Sequence, residues 1–456
     1  MTRPIPDSTI TEPTIPDSTI PDSTMTGSTI PGSPVPGTTA RLDAREQAAL
    51  DWIDRQGDAM LDTVRQWSAL NSGSRNLPGL ARMAEALTRA FAPLGGDLRL
   101  VDPAPAHAVT ADGQLAPLAH GRILRLTKRP DAPVRVLLAG HMDTVFAPDH
   151  PFQTPRALRP GILNGPGVAD MKGGLLVMLH ALLAFERSPW ADRLGYEIVI
   201  NADEEISSLG SAPVLAEAAR SADLGLVYEP AMEDGRLAGA RKGIGTFSIV
   251  AEGRSAHAGR NPGEGRNAVL AVADAFVRLA GLTGTREGLT VNVARMEGGA
   301  PTNVVPSGAV GRFEIRVATH ADMHWAQAEA ERILADVAAA REVTLTLHGR
   351  FNRPPKPMDE RQAALFAAVR LCGEDLGLPI QWAATGGCCD GNNLAAEGLA
   401  VVDTLGVRGG AIHSADEYLV TESLVERARL SALLLMRLAS GALPVPPRGE
   451  RAGGRP

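Results

Sequence analysis

Cysteine is scarce. The 456 residues hold three, Cys372, Cys388 and Cys389, two of them adjacent. That excludes a disulfide framework and suits a reducing compartment, so a cytoplasmic location is expected. Positive charge is also in deficit, with 45 Lys and Arg against 52 Asp and Glu and a formal net charge of −7. No Lys/Arg-rich stripe reverses the balance, so neither nucleic acid nor an anionic membrane is an expected partner. The pattern Gly-x-x-x-x-Gly-Lys-Ser/Thr is missing, which weakens a phosphate-loop reading of the glycines between 165 and 174. Neither a basic n-region nor a continuous apolar h-region occurs in the first forty residues, which do not read as a signal peptide.

What is present is an apolar fraction of 44% beside 21% charged residues. Such a chain can bury a large core and is expected to divide, since one core rarely grows past ~250–300 residues. The opening is low in complexity: Thr-Ile-Pro recurs at 14–16, 19–21 and 29–31, and Pro-Asp-Ser-Thr begins at 6, 16 and 21. Frequent Pro with Ser and Thr between leaves too little apolar surface to offset ordering entropy, so residues 1–40 are expected to be disordered. The end, 444–456, is rich in Pro, Gly and Arg and is expected to fray.

Helical spacing begins near Leu42, through Leu50, Ile53, Met60, Leu61, Val64 and Trp67, and a second helix is read over 80–91. Strands are read at 122–127, 134–139 and 196–201, with a helix at 175–185, the order of a layered α/β domain. After Arg241-Lys242-Gly243 the pattern changes to strands at 247–251, 289–294, 311–318 and 343–347 with helices at 267–282 and 323–339. Pro354, Pro355 and Pro357 mark a linker, followed by a helix at 364–376, a loop at 386–391 and a strand at 400–404. The outer domain is therefore expected to be split, 41–243 and 358–443, around an α+β insertion at 244–357.

Polar residues gather just past the apolar segments. His141-Met142-Asp143-Thr144 follows one, Asn201-Ala202-Asp203-Glu204-Glu205 follows another, and His413-Ser414-Ala415-Asp416-Glu417 comes much later. Strand ends are where an α/β sheet delivers side chains to a crevice. A lone His there is more often a hydrogen-bonded structural residue, and adjacent acids are more often a solvated turn. Taken jointly, two histidines and several carboxylates on element ends suggest a metal site, and imidazole with carboxylate suits a borderline ion such as zinc. Neighbouring carboxylates can then divide the work, one staying ionised against a cation while the other takes a proton from water. The chain reads as a metal-dependent hydrolase.

A family resemblance is carried by His141-Met142-Asp143-Thr144-Val145, by Gly165-Pro166-Gly167 with Ala169-Asp170 and Lys172-Gly173-Gly174, and by Asp203-Glu204-Glu205 and Glu229-Pro230. Ser255-Ala256-His257-Ala258-Gly259, Asn303-Val304-Val305-Pro306 and His413-Ser414 continue it. In order and spacing, over about residues 43 to 440, these resemble the M20 co-catalytic zinc peptidases, most nearly the glutamate carboxypeptidase branch. The resemblance implies an α/β zinc-peptidase sandwich with an inserted α+β dimerisation domain, and a homodimer. It implies two zinc ions per subunit, with cobalt or manganese able to substitute. His141 and Glu229 would hold one ion, Glu205 and His413 the other, and Asp170 would bridge them. Glu204 would be the general base, and Asp143 the carboxylate that fixes the His141 imidazole. His257 would reach a partner subunit's site to stabilise the oxyanion, and Arg316 would bind a substrate carboxylate bidentately. Asn303 and Gly387 would add substrate contacts. Met171 departs from the pattern, standing where a second Asp is common, and a cis peptide is implied after the bridging acid. Cys388 and Cys389 are expected to be small apolar side chains rather than nucleophiles.

The implied reaction is hydrolysis of the amide bond to a C-terminal amino acid, glutamate by resemblance, in a small peptide or N-acyl amino acid. An N-acyl-amino-acid deacylase of other specificity is the closest alternative, and a dipeptidase is less favoured. A non-catalytic homodimeric scaffold would be favoured by a broken His141, Asp170, Glu204, Glu205, Glu229 or His413, and all six are intact.

Overall fold

A computed structural model describes residues 42–449, and the expectations for 1–40 and 450–456 fall outside that range. The main sheet is built from β1 (Asp97–Val101), β2 (Ile123–Lys128), β3 (Val134–His141), β4 (Leu194–Asn201), β5 (Leu224–Val227) and, after a long excursion, β10 (Ala400–Val402). Their order across the sheet is β1-β2-β4-β3-β5-β10. The last four run parallel, so their carboxyl ends share one edge, while β1 and β2 are antiparallel.

Both faces of this sheet are buried, which is why β3 reads as a continuous apolar run from Val136 to Gly140. Alternate side chains serve two cores. Val136 and Leu138 pack with Leu124, Ile198 and Ile200 against helices Gly174–Phe185 and Ser423–Ser440. Leu137 and Ala139 face Leu215 and Ala218 of helix Ala212–Ser221 and Leu394 of helix Asp390–Ala396. The stretch Val168–Phe185 is long and apolar enough to cross a membrane, yet 94% of it is buried inside the protein; a helix apolar all round is the core of a large domain. The helix Gly174–Phe185 within it must begin on glycine, because a Cβ at Gly174 would lie 2.0 Å from the Tyr228 carbonyl oxygen.

The excursion carries β6 (Gly243–Glu252), β7 (Thr290–Gly298), β8 (Gly308–Val317) and β9 (Thr344–Arg353). These make an antiparallel sheet in the order β7-β8-β6-β9. Helices Ala268–Ala280 and His320–Arg341 bury Ala271, Ala275, Leu279, Ile333 and Val337 against Phe247, Ile249, Phe313 and Ile315. The architecture is thus an α/β sandwich with an inserted α+β unit.

Several local expectations are corrected. The apolar spacing from Leu50 to Trp67 belongs to two helices, Ala44–Asp54 and Gly57–Ser68; both turn their apolar faces to the same core, so periodicity does not reveal the break. β9 runs past Leu347 to Arg353 because its polar half pairs with the start of β6. The expected loop at 386–391 ends early: Cys389 caps helix Asp390–Ala396, its Sγ accepting from Gly391 N at 3.3 Å. A hairpin, Ala106–Val109 with Leu115–Leu118, gave no clear sequence cue. At the other end, residues 444–449 are anchored rather than free, with Val445 against the core and Arg448 donating to the Ala219 carbonyl at 3.0 Å.

Candidate active site

β3, β4 and β5 end side by side, and each continues into polar residues. His141 closes β3, the Glu204–Glu205 turn follows β4, and Glu229 lies just beyond β5. Asp170, at the entry to helix Gly174–Phe185, and His413, in the loop before the Tyr418–Val420 strand, reach the same place. His141 Nε2 is 3.1 Å from Asp170 Oδ1 and 3.7 Å from Glu229 Oε2. His413 Nε2 is 3.3 Å from Asp170 Oδ2 and 3.2 Å from Glu205 Oε2. Two triads, His141–Asp170–Glu229 and Asp170–Glu205–His413, therefore share Asp170, one of its oxygens in each. This is a binuclear, co-catalytic metal site.

The donors fit two divalent ions. Glu229 Oε1 is buried with no hydrogen-bond partner. Asp170 and Glu205 push the His413 imidazole up to about 11, and burial, reinforced by Asp170, pushes the Glu205 carboxyl up to about 7. A cluster that drives its own side chains to hold protons is short of positive charge, and bound cations invert that balance. The nitrogen and oxygen donor set suits zinc. His413 itself sits at φ 64, with Ala411 at φ 51, a left-handed pair of non-glycine residues of the kind that clusters at functional sites.

The backbone around Asp170 is shaped as the glycines suggest. Gly167 takes φ 70, and the Asp170–Met171 peptide is cis. Met171 is buried, its Sδ accepting from His141 N at 3.2 Å and its methyl lying where a Cβ on Gly140 would fall. The departure at this position thus leaves a sulfur packed beneath the end of β3.

Asp143 acts on more than the imidazole. His141 Nδ1 lies 3.1 Å from the Asp143 main-chain oxygen and 3.4 Å from its carboxylate. Donation from Nδ1 leaves the Nε2 lone pair for a metal. The Asp143 carboxylate accepts from Glu204 N and Glu205 N at 3.2 Å each and from Ser74 Oγ at 2.7 Å. It ties the end of β3 to the turn after β4.

Glu204 is buried, and burial drives its carboxyl well above the usual range, with Arg353 opposing. Arg353, the last residue of β9, was not singled out by the sequence reading. Its Nη2 sits 2.7 Å from Glu204 Oε1 and donates to the Glu204 carbonyl at 2.6 Å and Ser208 Oγ at 3.1 Å. Asp390, also unforeseen, braces the same turn by accepting from Ser208 Oγ and Asn201 Nδ2 at 2.5 Å each.

Three arginines meet the loop that follows Thr385. Arg316 Nη1 donates to the Gly386 carbonyl at 2.8 Å, Arg241 Nη1 to the Gly387 carbonyl at 3.3 Å, and Arg353 Nη1 lies 3.8 Å from Cys388 Sγ. Arg316 also holds Glu314 at 2.5 Å and keeps about a third of its side chain exposed, 35%. His257 and Asn303 come together on the inserted unit, where Ala258 N donates to the Asn303 carbonyl at 2.9 Å. Among the described residues, neither makes a hydrogen bond or ion pair to the metal triads.

Residues 137–437 match the family described as Peptidase family M20/M25/M40. The chain belongs to that family. It is 28% identical to Carboxypeptidase G2 of Pseudomonas sp. (strain RS-16) over 67% of this chain and 74% of that one. It is 27% identical to a succinyl-diaminopimelate desuccinylase of Nitrosococcus oceani over 68% and 85%. Among solved structures, an aminopeptidase of Bacillus cereus superposes with TM-score 0.63 at 22% identity, over 84% of this chain and 99% of that one, and so shows the same fold. The M20 likeness extends over several branches and does not single out the glutamate carboxypeptidases. With its binuclear centre, this M20 protein is a zinc-dependent hydrolase of C–N amide bonds, acting on peptides or N-acyl amino acids.

Proposed function

We propose that this M20 enzyme releases a C-terminal amino acid, glutamate before others, from a small peptide or an N-acyl amino acid. The observation that carries this reading is Arg316 of β8, a partly exposed guanidinium against the Gly386 carbonyl, whose planar fork suits a terminal carboxylate. Arg241 and Arg353 reach the same loop but are buried against Asp403 and Glu204, which leaves Arg316 as the partly exposed guanidinium of the three. The likeness to a carboxypeptidase supports the same choice.

His141, Asp170 and Glu229 would hold one zinc and Asp170, Glu205 and His413 the other, where the pair would supply Lewis-acid polarisation of a scissile carbonyl and a more acidic water. Glu204, which belongs to neither triad, takes the water's proton and delivers it to the leaving nitrogen. Arg353 keeps that carboxylate in place. Gly387 offers main chain to the substrate, and Arg316 orients its terminal carboxylate.

His257 completes the site from a second copy of the chain. Its Nδ1 accepts from Gly259 N and Arg260 N at 3.1 Å each, so in the neutral ring the proton belongs to Nε2, a ready donor for an oxyanion. Asn303, beside it, is a further donor. A homodimer is favoured by the inserted unit, where the outer strand β7 pairs on one side only, with Val293 36% and Met296 45% exposed, and the adjoining helix exposes Val277 at 74%. Two inactive variants, His257→Ala and Glu204→Gln, are expected to regain activity on subunit exchange, because one site of the mixed dimer holds both native groups. Proven heterodimers that stay inactive would rule out a shared site.

The substrate reading is tested with zinc-reconstituted protein on a panel of N-acyl amino acids and dipeptides, following amino-acid release by ninhydrin. Release from N-acyl-glutamate is expected to lead the panel, to vanish on chelation and to return with zinc. Preference for dipeptides bearing a free amine would replace the reading with a dipeptidase, and activity indifferent to chelation would remove the mechanism.

A further inference from the structure

We propose that Glu417 is a positioning residue for the bridging carboxylate, holding the Gly167–Asp170 backbone and the His413 loop in one register so that the Asp170–Glu205–His413 triad can close on its ion. The inference rests on the two-ion reading of the site. Glu417 is 1% exposed. Its Oε2 accepts from Gly167 N at 3.0 Å, and its Oε1 accepts from both Ala169 N and Asp170 N at 3.0 Å. Three main-chain donors from the four-residue segment 167–170, all but Val168, turn on one carboxylate and form an anion-binding concavity. Among the described residues no Lys, Arg or His lies within ion-pairing distance of Glu417; those three N–H groups are its carboxylate's hydrogen-bond donors, and the buried Lys172 acts on it only at longer range.

The main chain of Glu417 is tied to the same segment. Its carbonyl accepts from Gly165 N at 3.2 Å and from Asn164 Nδ2 at 2.7 Å. Its own N–H donates to the Ser414 carbonyl at 3.1 Å, closing a turn that starts beside His413. One five-residue loop therefore carries a metal-binding imidazole at its first position and the brace of the bridging acid at its last. His413 has a side chain 54% exposed and a left-handed backbone, so little else fixes it. His141, by contrast, ends a strand paired on both sides and is fully buried. Loosening Glu417 should for that reason act on one ion more than on the other.

Zinc titration of Glu417→Gln with a competing chelator dye tests this, with the zinc-induced rise in Tm as second readout. An amide at this position turns an NH2 towards a main-chain N–H and forfeits part of the cradle. The expected result is the ion at Asp170–Glu205–His413 weakened about 10–100-fold, the scale on which groups supporting a metal ligand act, the other ion, which shares Asp170, weakened distinctly less, and a smaller zinc-induced rise in Tm. Two ions held with native affinity would overturn the proposal, as would equal weakening of both. A wild type that takes up fewer than two ions would instead overturn the binuclear reading, and Glu417's role with it. Should Glu417→Gln not fold, Asn164→Ala removes a support of the Glu417 main chain, and the same ion is expected to weaken to a lesser degree; native affinity for both ions there would also overturn the proposal.

Discussion

Glu204→Gln will fold, load with close to two zinc ions, and lose at least ~10²-fold in kcat. The substitution keeps the shape of the side chain and an oxygen to accept from Arg353 Nη2, now 2.7 Å from Glu204 Oε1, so the buried guanidinium is not left without its neighbour. The turn itself is fixed elsewhere, by the Asp143 carboxylate on the N–H groups of Glu204 and Glu205 and by Asp390 on Ser208. Metal content should hold as well, because the five residues of the two triads do not include Glu204. What is removed is the carboxylate that can accept a proton. Metal analysis beside single-turnover rates checks both halves: near-native kcat in a zinc-loaded variant would take the base role from Glu204, and loss of zinc would make it a ligand.

That a metal site exists was legible from polar residues at element ends, whereas the individual ligands, Asp170 and Glu229 among them, came from the resemblance to the M20 peptidases. His141 and the Glu204–Glu205 pair come directly after apolar runs that could only be buried strands, and the glycines flanking Asp170 announce a tight backbone. The insertion was equally visible, since hydrophobic period and spacing change after Gly243. What escaped was support from far away in the chain. Arg353 stands before two prolines and reads as a surface cation in a linker, yet it crosses 149 positions to meet Glu204. Glu417 was noticed only as the end of a polar run, because its partners are main-chain N–H groups about 250 positions earlier, and main chain leaves no pattern in side-chain identity. Cys389 illustrates the same blindness locally. A sulfur cap is chemically weak, and its neighbours Gly387, Cys388 and Gly391 suggest a loop.

Arg316→Ala is expected to lower kcat/KM for a free-acid substrate by ~10²-fold and to affect the matching C-terminal amide far less. Two charge-assisted hydrogen bonds from one guanidinium to a carboxylate are lost, and ~2–4 kcal/mol is the range for disrupting such a pair. The acid-to-amide comparison is needed because Arg316 has structural partners too: the Gly386 carbonyl at 2.8 Å and Glu314 at 2.5 Å. Freeing the loop would slow both substrates alike, whereas losing an anchor penalises only the one with a charge to anchor. Arg316→Lys separates the two further, since it restores a cation on this strand without the planar fork; partial rescue of the acid alone is the expected outcome. If wild type prefers the blocked amide, or if Arg316→Ala slows acid and amide equally, the carboxylate anchor fails. Matched N-acyl-glutamate and N-acyl-glutamine then address a separate pocket. Should another side chain surpass glutamate while the acid-to-amide contrast holds, the two-zinc hydrolysis and its anchor stand, and only the glutamate assignment falls.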